Sequence, residues 1–93
     1  MARNFKQRTL NSPPKMNGYK PFGIPICEIG TVTLLYEEFE SIKMVCYDDL
    51  SQDIAAEKMN VSRPTFTRIY NKALKTIAKG FVEGKAIMIE GGN

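Results

Sequence analysis

The stretch SQDIAAEKMNVSRPTFTRIYN, residues 51–71, decides the fold of this chain. It predicts a helix over about residues 52–59 and a second helix that follows Ser62, with only two residues between the first helix and the next cap. Ser51 and Ser62 are typical N-caps, because a serine oxygen can accept a backbone N–H of the first turn. So short a connection makes the two helices cross steeply, which is the geometry of a helix-turn-helix unit.

The second predicted helix has an apolar side and a polar side. Its apolar residues recur at three- to four-residue spacing, which predicts a face that packs on the core: Phe66, Ile69, Tyr70, Ala73, Leu74, Ile77 and Ala78. We expect the helix to reach about Lys79 and to end at Gly80 or Gly84. We also expect a wedge of apolar side chains to fix the angle between the two helices: Ile54, Met59, Val61, Phe66 and Ile69.

The side opposite Phe66 carries the candidate site. It contains arginine, asparagine and threonine, and residues 61–82 include no acid. In a major groove, arginine pairs with guanine, asparagine pairs with adenine, and a threonine methyl contacts thymine. Backbone N–H groups at both helix starts can bind phosphates. The candidate DNA-binding residues are Ser51, Gln52, Ser62, Arg63, Thr65, Thr67, Arg68, Asn71 and Lys72.

The two arginines also have a structural interpretation. Arg63 or Arg68 could pair with Asp53 or Glu57 on the preceding helix, since surface ion pairs of this kind are common and contribute little to stability. Within a complete helix-turn-helix pattern we favour contact with DNA.

Flanking segments complete a mainly α domain of three helices with short N- and C-terminal strands. A helix over about residues 37–47 supplies the third wall of the core. The runs TVTLL, residues 31–35, and KAIMIE, residues 85–90, predict two short strands. Two strands are too few for a stable isolated sheet, so they pair with each other or with a second chain. We expect residues 1–18 to be a flexible basic arm and residues 19–93 to be the domain.

The net charge of +3 conceals an asymmetry along the chain. Residues 1–20 include five basic residues and no acid, and residues 61–85 include six basic residues and one acid. Residues 21–60, between them, include eight acids and two bases. Two basic segments around an acidic middle indicate a polyanionic partner.

Several function classes are excluded by what the sequence lacks. There is no histidine, which removes the commonest acid–base group and metal ligand, and the two cysteines form no Cys-x-x-Cys pair. We therefore expect no enzyme, no metal and no cofactor. No apolar run approaches the roughly 18–20 residues of a membrane span, and the first residues lack an apolar leader, so we expect a cytoplasmic protein with no membrane contact.

Four segments resemble the domain-of-unknown-function family 134, whose small prokaryotic members are described as predicted DNA-binding proteins. The segments are PFGIP at residues 21–25, LSQ and IAAEKM within residues 50–59, VSRPTFTR at residues 61–68 and GKAIMIEGG at residues 84–92. Asn60 stands where the family motif usually has glycine, and Leu35-Tyr36 replaces a polar residue. The resemblance implies a helix-turn-helix like region four of sigma factors, and DNA binding.

These observations predict sequence-specific binding of duplex DNA through the helix that starts at Ser62, in a transcriptional regulator. A homodimer is expected, because many helix-turn-helix readers dimerise to span two half-sites about 34 Å apart. The alternative is a protein-interaction module of the same fold, which would use the acidic stretch of residues 37–57.

Overall fold

The computed structural model describes residues 17–91 of the chain. Within them, three helices and a small three-stranded sheet form an α-rich domain. The sequence predicts the three helices and two of the three strands. In chain order the elements are β1 (Gly18–Tyr19), β2 (Thr31–Leu35), α1 (Tyr36–Ile42), α2 (Gln52–Met59), α3 (Arg63–Glu83) and β3 (Ala86–Glu90). A 3₁₀ turn, Ile26–Glu28, precedes β2, and a π-helical segment, Lys43–Tyr47, continues α1. None of these helices is both long and apolar enough to cross a lipid bilayer.

The strand β3 lies in the middle of the sheet. It pairs in parallel with β2, from Thr31 opposite Ala86 to Leu35 opposite Glu90, and antiparallel with the two residues of β1. The helices α1, α2 and α3 form the crossover between the two parallel strands. The two strands predicted from the sequence therefore pair with each other within one chain, and the second begins at Ala86, one residue later than predicted.

The core has two parts, and α3 contributes to both. We name the first the helical cluster; its buried members are Met44, Ala55, Ala56, Met59 and Phe66. We name the second the sheet cluster; its buried members are Leu34, Ala73 and Ile89. Val61 and Ile69 pack against the helical cluster, so the predicted wedge is confirmed for Met59, Val61, Phe66 and Ile69.

Three residues predicted to face the core are on the surface instead. Ile54 is 46% exposed, because the neighbouring Ala55 and the following turn's Met59 take the inward side of α2. On α3, Leu74 is 41% exposed and Ala78 is also exposed. The inward stripe of α3 is thus narrower than its apolar pattern suggested.

Of the two glycines expected to end the last helix, Gly84 ends it and Gly80 lies inside it. The helix α3 continues past Gly80 to Glu83, and Gly84 ends it in the left-handed conformation, with φ of 69°. Gly80 is buried against the sheet, where a Cβ atom would stand only 2.6 Å from Ile87 Cγ1. Its lack of a side chain therefore serves close packing of α3 on the sheet.

Most of the predicted basic arm, residues 1–18, lies outside the described residues. Its last residue, Gly18, belongs to β1 and pairs with Met88, and the Ile89 N–H donates to the Asn17 carbonyl at 2.7 Å. The helix predicted over residues 37–47 corresponds to α1 and its π-helical continuation, which begin one residue earlier.

Candidate functional site

The connection between α2 and α3 is fixed by its caps. Ser51 Oγ accepts the Ile54 N–H at 3.2 Å, and Ser62 Oγ accepts the Thr65 N–H at 3.3 Å. Between the helices, Asn60 takes the left-handed conformation, with φ of 63° and ψ of 41°. Asparagine tolerates this conformation better than most residues, so it suits this position.

Phe66 determines which side of α3 faces outward. Its side chain is 0% exposed, and its ring stacks on Tyr70 with centroids 6.1 Å apart and an interplanar angle of 13°. Because the helix turns by about 100° per residue, burying Phe66 turns the opposite side of α3 to solvent.

The outward side of α3 begins with the predicted site residues. Arg63, Thr67 and Asn71 follow each other at four-residue spacing and form one row, and Arg68 and Lys72 form a neighbouring row. Four of the predicted residues of α3 are exposed, namely Arg63, Arg68, Asn71 and Lys72, and Thr65 and Thr67 are half-buried. At the starts of α2 and α3, the caps Ser51 and Ser62 are exposed and Gln52 is half-buried.

A hydrogen-bonded group joins the starts of α2 and α3. Arg63 Nη1 donates to Asp53 Oδ1 at 2.7 Å, and Arg63 Nε donates to Thr67 Oγ1 at 3.4 Å. The Thr67 hydroxyl in turn donates to Gln52 Oε1 at 2.7 Å. We name these four residues the Arg63 group. The ion pair between Arg63 and Asp53, which the sequence left open as an alternative, is thus present. Asp53 was not among the site residues predicted from the sequence.

A second, smaller set of contacts joins Arg68 to the start of α3. Ser62 Oγ donates to Thr65 Oγ1 at 3.0 Å, and Arg68 Nη2 donates to the same oxygen at 3.3 Å. Arg68 therefore keeps most of its N–H donors for a ligand, since a guanidinium has five.

Lys72 differs from the other candidates because its partner belongs to the core. Its Nζ lies 3.5 Å from Glu38 Oε2, and the Glu38 side chain is buried. The other Glu38 oxygen accepts the Leu35 N–H at 3.0 Å, at the start of α1. Lys72 thus links α3 to the first turn of α1, while its side chain remains two-thirds exposed (66%).

Glu40 and Tyr70 lie away from these rows. Burial raises the pKa of Glu40, and the hydrogen bond of Cys46 Sγ with Tyr70 Oη at 3.3 Å raises the pKa of Tyr70. Among residues 17–91, no group of three or more histidine, cysteine, aspartate or glutamate side chains is arranged to hold a metal ion. What this face offers a ligand is hydrogen-bond donors and positive charge.

Comparisons with known proteins agree on one family. The model of the family described as "Protein of unknown function DUF134" matches residues 1–93. UPF0251 proteins of Thermoanaerobacter pseudethanolicus and of Caldanaerobacter subterraneus subsp. tengcongensis are each 44% identical over 93 residues, which cover all of this chain and 79% of each relative. A UPF0251 protein of Clostridium botulinum is 42% identical over 93 residues, all of this chain and 59% of the relative. No solved structure matches the chain.

Proposed function

The chain belongs to DUF134, a family of proteins of unknown function, and for this chain we propose sequence-specific binding of duplex DNA through the N-terminal half of α3. In this proposal α2, its connection and α3 act as a helix-turn-helix unit similar to region four of sigma factors, and the protein is a transcriptional regulator. The single observation that carries the proposal is the pair of polar rows on α3, turned outward by the buried Phe66.

The charge of α3 supports a polyanionic partner. The helix carries five basic residues, and its one acid, Glu83, is its last residue. DNA exposes a dense line of phosphates, and each phosphate that a cation neutralises releases about 0.9 of a counterion into solution. Binding through this helix should therefore weaken steeply as the salt concentration rises.

The polar side chains suit base edges as well as phosphates. Arg63 and Arg68 can each present two parallel N–H donors to guanine, and Asn71 can bond adenine through its amide. The three lie within the first nine residues of α3, the part of a recognition helix that enters a major groove. Ser51, Gln52 and Ser62, at the two helix starts, are suited to phosphates.

The protein-interaction alternative has less support. It relies on the acidic stretch of residues 37–57 as a docking surface, but Glu38 and Glu40, two of the acids in that stretch, are buried. The other acids of the stretch leave a smaller acidic surface than the sequence suggested.

A homodimer remains part of the proposal. Two copies could present two α3 helices to half-sites one helical turn apart. Light scattering at micromolar concentration, with and without a duplex that carries two half-sites, measures this directly. A single copy on such a duplex would remove the dimer and leave the reading by α3 intact.

The test of DNA binding starts with selection of preferred duplexes from a random pool. Fluorescence anisotropy then measures the affinity for the selected duplex over a range of salt concentrations, for the unmodified chain, Arg68→Ala and Lys58→Ala. Lys58, an exposed lysine in the last turn of α2, is the control because its loss changes the charge equally. We expect Arg68→Ala to weaken binding by about 1–3 kcal/mol and to relax one base preference, and Lys58→Ala to do neither. An affinity insensitive to salt and to Arg68 would refute the proposal.

A further inference from the structure

The Arg63 group places a carboxylate in a face that is otherwise cationic. Asp53 lies in the first turn of α2, and its side chain is 75% exposed, against 50% for Arg63. An acid at this position repels phosphates, which lowers the affinity of any cationic face for DNA. Folding stability does not explain the pair either, because exposed ion pairs contribute little.

Two contacts restrict the guanidinium of Arg63 from different directions. Nη1 is held by Asp53 on α2, and Nε is held by Thr67 one turn further along α3. Gln52 fixes Thr67 in turn, because its Oε1 accepts the threonine hydroxyl proton at 2.7 Å. An arginine side chain otherwise samples many rotamers, so ordering it before binding reduces the entropy lost on binding.

We propose that Asp53 is a specificity-determining residue that acts by positioning Arg63: it holds the guanidinium so that the remaining N–H donors point at one base pair. The inference rests on the proposed function of DNA binding and deepens it. A guanidinium has five N–H donors, and the two contacts with Asp53 and Thr67 leave three. They include one N–H on Nη1 and two on Nη2, and a guanine edge takes one donor from each of these two nitrogens.

The positioning role differs from two simpler roles for Asp53. If Asp53 only stabilised the start of α2, its loss would change the stability and leave base preference untouched. If Asp53 only competed with DNA for Arg63, its loss would strengthen binding to every duplex equally. Positioning alone predicts that removal of the carboxylate lowers the preference among duplexes.

The experiment compares two duplexes for each variant. One is the selected duplex, and the other is altered at the base pair whose preference Arg63→Ala abolishes. The variants are Asp53→Asn, which keeps the shape of the side chain, and Glu57→Gln, which removes the same charge from an exposed residue one turn along α2. Arg63→Lys, alone and combined with Asp53→Asn, tests whether Asp53 acts through the guanidinium.

We expect Asp53→Asn to reduce the ratio of the two dissociation constants about tenfold, the lower range of one bidentate base contact. The Asp53→Asn variant should bind the altered duplex at least as tightly as the unmodified chain does. Glu57→Gln should keep the ratio, and a further variant, Asp53→Glu, should keep part of it because a carboxylate remains. Asp53→Asn should cause no further loss in the Arg63→Lys background.

The outcomes distinguish failure of the positioning role from failure of the proposed DNA binding. If Arg63→Ala loses the preference but Asp53→Asn keeps it, DNA binding stands and the positioning role is overturned. The positioning role is also overturned if Asp53→Asn strengthens binding to both duplexes equally, or if it lowers the ratio further in the Arg63→Lys background. If neither Arg63→Ala nor Arg68→Ala alters DNA binding, the proposed function itself fails, and the positioning role fails with it.

Discussion

The helices α1 and α3 pack side by side yet bury opposite kinds of residue. The buried positions of α3 are the apolar or small Phe66, Ala73 and Gly80. Those of α1 are Glu38, Glu40 and Ser41, all polar. Hydrophobic patterning therefore explains the orientation of α3, but it does not explain the burial of the polar side chains of α1. Each substitution below tests one side of that contrast.

Removal of the Phe66 ring should have the largest effect. Phe66→Ala leaves a cavity in the helical cluster, which costs about 3–5 kcal/mol. A domain of this length is stabilised by only roughly 5–15 kcal/mol in total, so the variant should be close to unfolding. Urea denaturation followed by circular dichroism measures the loss. Leu74→Ala is the control on the same helix, and its 41% exposed side chain should cost well below 2 kcal/mol. Equal losses in the two variants would mean that the buried side of α3 is wrongly assigned.

Filling the close contact at Gly80 should have the next largest effect. An added methyl would stand 2.6 Å from Ile87 Cγ1 and 3.1 Å from Val32 Cγ2, so the side chains that α3 packs against must shift. Overpacking of this kind costs about 1–3 kcal/mol, and the better helix propensity of alanine returns about 1 kcal/mol. We expect Gly80→Ala to lower the free energy of unfolding by up to about 2 kcal/mol.

The control for Gly80→Ala is Ala78→Gly, at an exposed position two residues earlier on the same helix. Thermal or urea denaturation of this variant measures the effect of helix propensity alone on the free energy of unfolding. If Gly80→Ala stabilises the protein by as much as Ala78→Gly destabilises it, α3 does not pack tightly on the sheet.

The contrast between the helices also explains how far the sequence could predict the structure. Apolar periodicity and serine caps are local signals, so they are sufficient to predict α2, its caps and the start of α3. The sequence also suggests a stop at Gly80, because a glycine that ends a helix and one that packs on a sheet look alike without the partner strand. In the same way, nothing local to Leu74 reveals that its side chain is 41% exposed.

The acids of α1 were beyond prediction for a different reason. Glutamates near the N-terminus of a helix, as Glu37 and Glu38 are in the first turn of α1, are expected to face solvent at the positive end of the helix dipole. The burial of Glu38 depends on the Leu35 N–H and on Lys72, which is 34 residues away in the chain. The exposed face of the candidate site could be predicted from the sequence. Whether Arg63 pairs with Asp53 or faces solvent depends on the distance between two helices, which the sequence does not contain.

Loss of the Glu38 carboxylate should have a moderate effect. Its oxygen accepts the Leu35 N–H at the start of α1, where Leu35 itself offers no side-chain cap. Glu38→Ala leaves that donor without its partner, which costs about 1 kcal/mol, as for other capping contacts. Lys72→Ala, measured by the same urea denaturation, should cost less than half of that, because the lysine is mostly exposed. A larger loss for Lys72→Ala would mean that the ion pair, and not the cap, holds α1.

Glu40 is a buried polar residue of α1 whose replacement should stabilise the protein, unlike the substitutions above. Its side chain is 2% exposed, and within the described part of the chain neither carboxylate oxygen has a hydrogen-bond partner. Burial raises the pKa of Glu40 above its ordinary value of 4.5; nearby Lys43 lowers it by less, and Asp48 adds to the rise. The folded protein therefore holds this proton more tightly than the unfolded chain does.

It follows that the contribution of Glu40 to the free energy of unfolding is most favourable below pH 4.5 and is lost as the pH rises through the raised pKa. Glu40→Gln is neutral at every pH, so it should remove this loss and raise the free energy of unfolding at pH 7.5 by about 1 kcal/mol. Urea denaturation of both proteins at pH 4.5 and pH 7.5 gives the comparison, with the exposed Glu57→Gln as the control for net charge. A gain that is equal at both pH values would reflect packing alone, and a loss at pH 7.5 would mean that the carboxylate has a partner in solution.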